Sequence, residues 1–141
     1  MKRRIVIADD DPIILSLVAL RLEIADYEVL SAKNGEEALA LIRQSEPVAA
    51  ILDMQMPFRT GIAVLDAIKS DPRTDKLPVM MLTGERDTVQ VMQAMGAGAG
   101  DYMVKPFNPD RLLERVNRMV RSSAMVWTKP SSAVTAPTWE L

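Results

Sequence analysis

Arg4-Ile5-Val6-Ile7-Ala8-Asp9-Asp10-Asp11-Pro12 is the stretch that decides the fold. Ile5, Val6, Ile7 and Ala8 form an unbroken apolar run, so the strand they predict is covered on both faces. Strands of that kind belong to parallel sheets packed between helices. The run stops abruptly at three acids, which places negative charge at the carboxyl end of the strand, where open parallel α/β sheets bind their ligands. Crowded carboxylates repel one another and need a compensating cation at neutral pH. The chain contains neither Cys nor His, and oxygen donors alone point to Mg²⁺ or a similar hard ion. Asp11 precedes a proline and reads as the cap of the next helix, which leaves Asp9 and Asp10 for the metal.

Outward from this stretch, short apolar runs alternate with amphipathic ones. The predicted strands are residues 4–8, 28–31, 48–52, 78–82 and 101–104. The predicted helices are residues 12–25, 35–44, 61–70, 87–95 and 109–121. In the first helix Ile14, Leu15, Val18, Leu22 and Ala25 keep the 3.6-residue period; in the last, Leu112, Leu113, Val116, Met119 and Val120 do so. Five strands, each followed by a helix, imply an α/β fold, a doubly wound (βα)5 unit around a five-stranded parallel sheet. Right-handed crossovers favour the flavodoxin-like order 2-1-3-4-5. Residues 1–121 make one domain. Residues 122–141, rich in Ser, Thr, Ala and Pro with only Lys129 and Glu140 charged, read as a linker or flexible tail.

Composition narrows the function classes. The 141 residues suit a single core, and 48% hydrophobic with 26% charged residues is ordinary for a soluble domain. A net charge of −2 gives no footprint for direct nucleic-acid binding by this segment. Absence of Cys excludes disulfides, thiolate zinc and thiol catalysis, and absence of His excludes imidazole acid–base chemistry. No apolar run reaches membrane-spanning length and Met1-Lys2-Arg3-Arg4 is too short for a signal peptide, so a cytoplasmic location without membrane contact is expected. The ten methionines read as core and helix-face filler, and Arg111, Arg115, Arg118 and Arg121 as a solvated helix face.

Other strand ends carry chemistry too. Asp53 ends the third run, Thr83 the fourth and Lys105 the fifth. In a 2-1-3-4-5 sheet these face the Asp9/Asp10 cluster across one crevice. Carboxylates would hold a cation there, while an ammonium and a hydroxyl bind anion oxygens, an arrangement suited to in-line phosphoryl transfer onto a carboxylate.

With these motifs in place, the chain resembles the receiver domain of two-component response regulators, the chemotaxis-regulator-like family. The resemblance spans about residues 2–121. It rests on Ile5-Val6-Ile7-Ala8-Asp9-Asp10-Asp11-Pro12, on Leu52-Asp53-Met54-Gln55-Met56-Pro57 with Gly61, on Met81-Leu82-Thr83-Gly84, and on Asp101-Tyr102-Met103-Val104-Lys105-Pro106-Phe107. It implies that Asp53 is the phosphoacceptor, supplied by a sensor histidine kinase, a phosphotransfer protein or a small phosphodonor. It implies Mg²⁺ bound directly by Asp10, through water by Asp9, and by Asp53 and the Gln55 backbone carbonyl. Thr83 and Lys105 match the residues that bind phosphoryl oxygens, Tyr102 the switch aromatic, and Lys105–Pro106 a cis bond. Gln55 and Glu85 match positions flanking the path of the hydrolysing water, and are expected to tune dephosphorylation. Gly84 stands where the family usually has Ala. Gly98-Ala99-Gly100-Asp101 stands where many members have Gly-Ala-Asp-Asp, which weakens, without removing, homodimerisation through the fourth helix, fifth strand and fifth helix.

The expected function is therefore a phosphorylation switch, a phosphoacceptor and not a turnover enzyme. Its output is either a protein partner of a stand-alone receiver or a DNA-binding effector joined after the tail. Two alternatives compete. One is a Mg²⁺-dependent phosphohydrolase with Asp9 as nucleophile and Asp11 as acid, disfavoured by Pro12-Ile13 after the second Asp and by the lack of a cap domain. The other is a phosphorylation-independent interaction module, against which the intact acids, Thr83 and Lys105 argue.

Overall fold

The computed structural model describes residues 2–84 and 88–127. Its elements in chain order are β1 (Arg4–Ala8), α1 (Pro12–Ile24), β2 (Glu28–Ala32), α2 (Gly35–Ser45), β3 (Ala49–Asp53), α3 (Gly61–Ser70), β4 (Val79–Thr83), α4 (Thr88–Gly96), β5 (Asp101–Val104) and α5 (Pro109–Arg121). The five strands form one parallel sheet in the order β2-β1-β3-β4-β5. The expected architecture is the observed one, and strand and helix bounds differ from the expected ones by a residue at most.

Alternation within each strand divides the core in two. Ile5, Ile7, Ala49, Ile51, Met80, Leu82 and Met103 face α1 and α5, where Leu15, Val18, Leu22, Leu112, Leu113, Val116 and Met119 meet them. Val6, Ala8, Ala50, Leu52, Val79 and Met81 face the other way, onto Ala38, Leu39 and Ile42 of α2, Val64, Leu65 and Ile68 of α3, and Ala94 of α4. Burial on both faces explains why β1, β3 and β4 carry almost no polar residue before their last positions.

Helix starts are built from local side chains. Asp11 accepts from the Ile13 N–H, Asn34 from Glu37, Thr60 from Ala63 and Asn108 from Asp110, while Pro12 and Pro109 occupy first-turn positions. Asp11 is thus a helix cap, as its place before Pro12 suggested. Two glycines permit close approach: a Cβ at Gly61 would meet the Asp53 carbonyl oxygen at 2.2 Å, and one at Gly35 would meet the Arg59 carbonyl oxygen at 2.1 Å. The loop between β3 and α3 is therefore pressed onto both the end of its own strand and the start of α2. One unexpected feature is the outer face of α1, where Ile13, Leu17, Leu20 and Ile24 are exposed. Among the described residues, no helix is long and apolar enough to cross a membrane.

Candidate functional site

Sheet register brings the four chemical strand ends together. Ala8 of β1 pairs with Leu52 of β3, so Asp9 and Asp53 emerge side by side. Asp53 pairs with Leu82, and Thr83 pairs with Val104, the residue before Lys105. The Lys105 N–H donates to the Thr83 carbonyl at 2.7 Å, which extends the ladder by one step and fixes where the lysine side chain begins.

That side chain reaches back over two strands. Lys105 Nζ lies 2.6 Å from Asp9 Oδ2 and 3.3 Å from Asp53 Oδ2. The contact with Asp9 is an ion pair whose angles fall short of a directed hydrogen bond, so the buried Oδ2 keeps acceptor capacity. Asp9 Oδ1 accepts from the Asp11 N–H at 2.9 Å. Asp53 is held more loosely, its Oδ1 accepting from the Gln55 N–H at 3.3 Å. Asp9 and Asp53 are buried whereas Asp10 is exposed. One carboxylate oxygen from each of the three lies within 4.8 Å of the others.

Three carboxylates against one ammonium leave a deficit of positive charge. Burial first and the Asp9 charge second raise the Asp53 carboxyl from 3.8 to about 6, an increase that Lys105 and the Gln55 N–H only partly offset. Burial alone would lower the Lys105 ammonium, but its contacts with Asp9 and Asp53 outweigh that and move it upward. All the donors are oxygens, one of them a buried atom without a directed hydrogen bond, so the residues fit a hard divalent cation.

Thr83 is buried at the end of β4, and its hydroxyl donates to the Gln90 side-chain carbonyl of α4 at 3.2 Å. Gln90 is a residue that sequence reasoning missed: one polar position in an amphipathic helix gives no signal until the helix docks. Tyr102 is half-buried on β5 and lines, with Thr88, Val91 and Val104, a cavity of about 370 Å³ under α4. The Lys105–Pro106 bond is cis, as the resemblance implied. Glu85 lies outside the described residues. Phe58, also unforeseen, stands on the β3–α3 loop with 86% of its surface exposed and a left-handed backbone, φ 67°. An exposed aromatic in that region of backbone space is uncommon. Its loop is held by the Arg59–Glu36 ion pair at 2.6 Å.

Comparison with known proteins agrees with this geometry. The model of the response regulator receiver domain matches residues 5–117. Over 118 residues the chain is 39% identical to the DNA-binding dual master transcriptional regulator RpaA of Synechocystis sp., covering 84% of this chain and 49% of that protein. Over 119 residues it is 35% identical to the phosphate regulon transcriptional regulatory protein PhoB of Pseudomonas aeruginosa, covering 84% and 52%. The chain thus spans about half the length of these curated relatives. Among solved structures, a putative response regulator from Chloroflexus aurantiacus superposes with a TM-score of 0.82 at 36% identity, covering 86% of this chain and 99% of that one. The chemotaxis protein CheY4 of Vibrio cholerae gives 0.79 at 32% identity, covering 84% and 99%. Strand order, the gathered acids and lysine, and a family match over most of the chain agree: this protein belongs to the response regulator receiver domain family.

Proposed function

We propose that Asp53 accepts a phosphoryl group in a Mg²⁺-dependent reaction, and that the resulting acyl phosphate switches the face formed by α4, β5 and α5. The observation that carries this is the unequal hold on the two buried acids. Asp9 is contacted closely, by the Asp11 N–H at 2.9 Å and by the Lys105 ammonium at 2.6 Å, whereas both contacts of Asp53 are at 3.3 Å. A carboxylate oxygen that is raised in basicity and loosely held is the better nucleophile. The same contrast supports Asp53 over Asp9 as the reacting group, and so the switch over a phosphohydrolase.

In the reaction an Asp53 oxygen attacks phosphorus in line, and the bond from phosphorus to the donor breaks, its electron pair leaving with the donor's imidazole or acetate. Lys105, already beside Asp53, binds an oxygen of the transferred group, and the Thr83 hydroxyl exchanges Gln90 for another. Asp10, Asp53 and the Gln55 carbonyl would hold Mg²⁺ directly and Asp9 through water. When bound, the ion supplies positive charge for the spread-out charge of the transferred group. As Thr83 moves, Tyr102 has the cavity under α4 to enter. Gln55 and Glu85 tune hydrolysis.

The phosphodonor is a sensor histidine kinase or phosphotransfer protein. A second copy of the chain on α4–β5–α5 is a further partner, there meeting the exposed Val89, Met92 and Met95. Asp101 is already paired within the chain to Arg115 at 3.4 Å, so that contact would rest more on apolar side chains than on charge. We place the protein in the cytoplasm, as a phosphoacceptor and not a turnover enzyme, regulating either a DNA-binding effector or a separate protein. Incubation with acetyl phosphate and Mg²⁺ is expected to add the mass of one phosphoryl group. Asp53→Asn or a chelator should abolish the addition, and a mass gain persisting in Asp53→Asn would sink the proposal.

A further inference from the structure

Composition alone makes everything after α5 a linker, yet its first residues are packed. After the α5 cap at Ser122, burial alternates: Ser123, Met125 and Trp127 are half-buried, while Ala124 and Val126 are exposed. Alternation with a period of two is the signature of an extended segment lying with one face against a surface. Met125 and Trp127 pack against the core cluster that α2, α3 and α4 share with the sheet. The Trp127 indole Nε1–H donates to the Pro47 carbonyl at 2.6 Å, and the Met125 N–H donates to the Ser123 hydroxyl at 3.0 Å. A cavity of about 200 Å³ is lined by Arg3, Val48, Val120, Ser123, Met125 and Trp127. These residues lie at the amino ends of β1 and β3 and at the end of α5, the pole opposite the acidic crevice.

We propose that residues 123–127 are a clasp belonging to the folded domain, which fixes the point from which the following chain departs. Two independent contacts hold it. Trp127 combines a large apolar body with one donor that must find an acceptor when covered, and the Pro47 carbonyl supplies it. Met125, two residues earlier, packs against the same core cluster as Trp127 and lines the cavity with Val48 and Val120. The clasp ties the carboxyl end of α5 to the start of β3. It also removes slack: the five residues 123–127, if fully extended, would reach roughly 17 Å. Trp127 is therefore held at the Pro47 corner and not free to lie anywhere within that reach of α5. The folded unit extends beyond residue 121, at least to Trp127.

The chain has two tryptophans, Trp127 and Trp139, so Trp139→Phe in the full chain leaves Trp127 as the sole indole reporter. In that background the folded protein is expected to show emission blue-shifted from that of the urea-unfolded protein, with acrylamide quenching reduced several-fold. Adding Met125→Ser, on the inward face, should shift emission to the red and raise quenching toward the unfolded value. Adding Val126→Ser, on the outward face, should change neither. Both additions touch only the margin of the domain, and far-ultraviolet circular dichroism should confirm that each remains folded. Solvent-like emission and quenching of Trp127 in the folded protein would overturn the clasp. So would equal responses to the Met125 and Val126 substitutions.

Discussion

The Asp53 carboxyl ordinarily titrates near 3.8 and in the folded chain near 6, first because burial disfavours its charge and then because Asp9 repels it. The linkage to stability has a definite sign. Below 3.8 the group is protonated in both states, and the stability that its neutral form contributes is fully present. Between 3.8 and about 6 the folded state holds a proton that the unfolded chain has released. As pH rises through about 6 that stabilising uptake is lost. Asparagine cannot ionise, so Asp53→Asn is expected to melt at a higher temperature than the parent at about pH 7.5 in a chelator, and the gap should close as pH falls toward 4. Thermal melts across that range measure it; a gap independent of pH would refute the role of Asp53 charge. Both buried acids were legible in the sequence because each follows an apolar run without a gap. Gln90 and Phe58 were not. Gln90 acts through a contact made only when α4 docks, and the exposure and backbone of Phe58 are set by a loop clamped between Gly61, Arg59 and Glu36.

Helix α1 shows what periodicity can and cannot reveal. Leu15, Val18 and Leu22 make the buried stripe that the 3.6-residue period identified. Ile13, Leu17, Leu20 and Ile24 make a second stripe at spacings of four, three and four, and it faces outward. A helix apolar on both sides is normally buried all round, so a surface of this kind marks an interaction site. It starts at the crevice rim, two residues after Asp11, where a protein bringing phosphohistidine to Asp53, as proposed above, would sit. Its spacing suits the apolar seam of a partner helix. The double substitution Leu17→Ser with Leu20→Ser is expected to leave autophosphorylation by acetyl phosphate within about two-fold, yet to slow transfer from a phosphorylated histidine kinase by about ten-fold or more. Equal slowing with both donors would point to damage at the site itself. From the sequence these leucines were indistinguishable from core, since amphipathic patterning assigns a face to water only where that face is polar.

For the molecule as a whole, stability and charge are coupled through the crevice. Anything that binds the folded state alone raises its stability by mass action, by about 2.7 kcal/mol when the ligand is at 100 times its dissociation constant. Mg²⁺ is therefore expected to raise the melting temperature saturably. Asp10 is exposed. Asp10→Asn should accordingly leave the metal-free melting temperature nearly unchanged while abolishing most of the Mg²⁺ response; a full response in Asp10→Asn would remove Asp10 from the ligand set. The sheet order was readable at this scale because strand–helix alternation and the rule of right-handed crossovers leave few choices. The packing of Met125 and Trp127 was not, because the Ser, Ala and Val around them resemble linker and only the placement of Pro47 explains Trp127.

Arg3 and Trp127 line the same small cavity, so residues near the two ends of the described chain are neighbours. A few added residues joining position 127 to position 2 would close the chain into a ring without passing near Asp53. The ring could then be opened in the exposed turn after α3, at Pro72 and Arg73. The order in which the βα units follow one another along the polypeptide is thus separable from their arrangement in space, and this receiver is a natural subject for circular permutation.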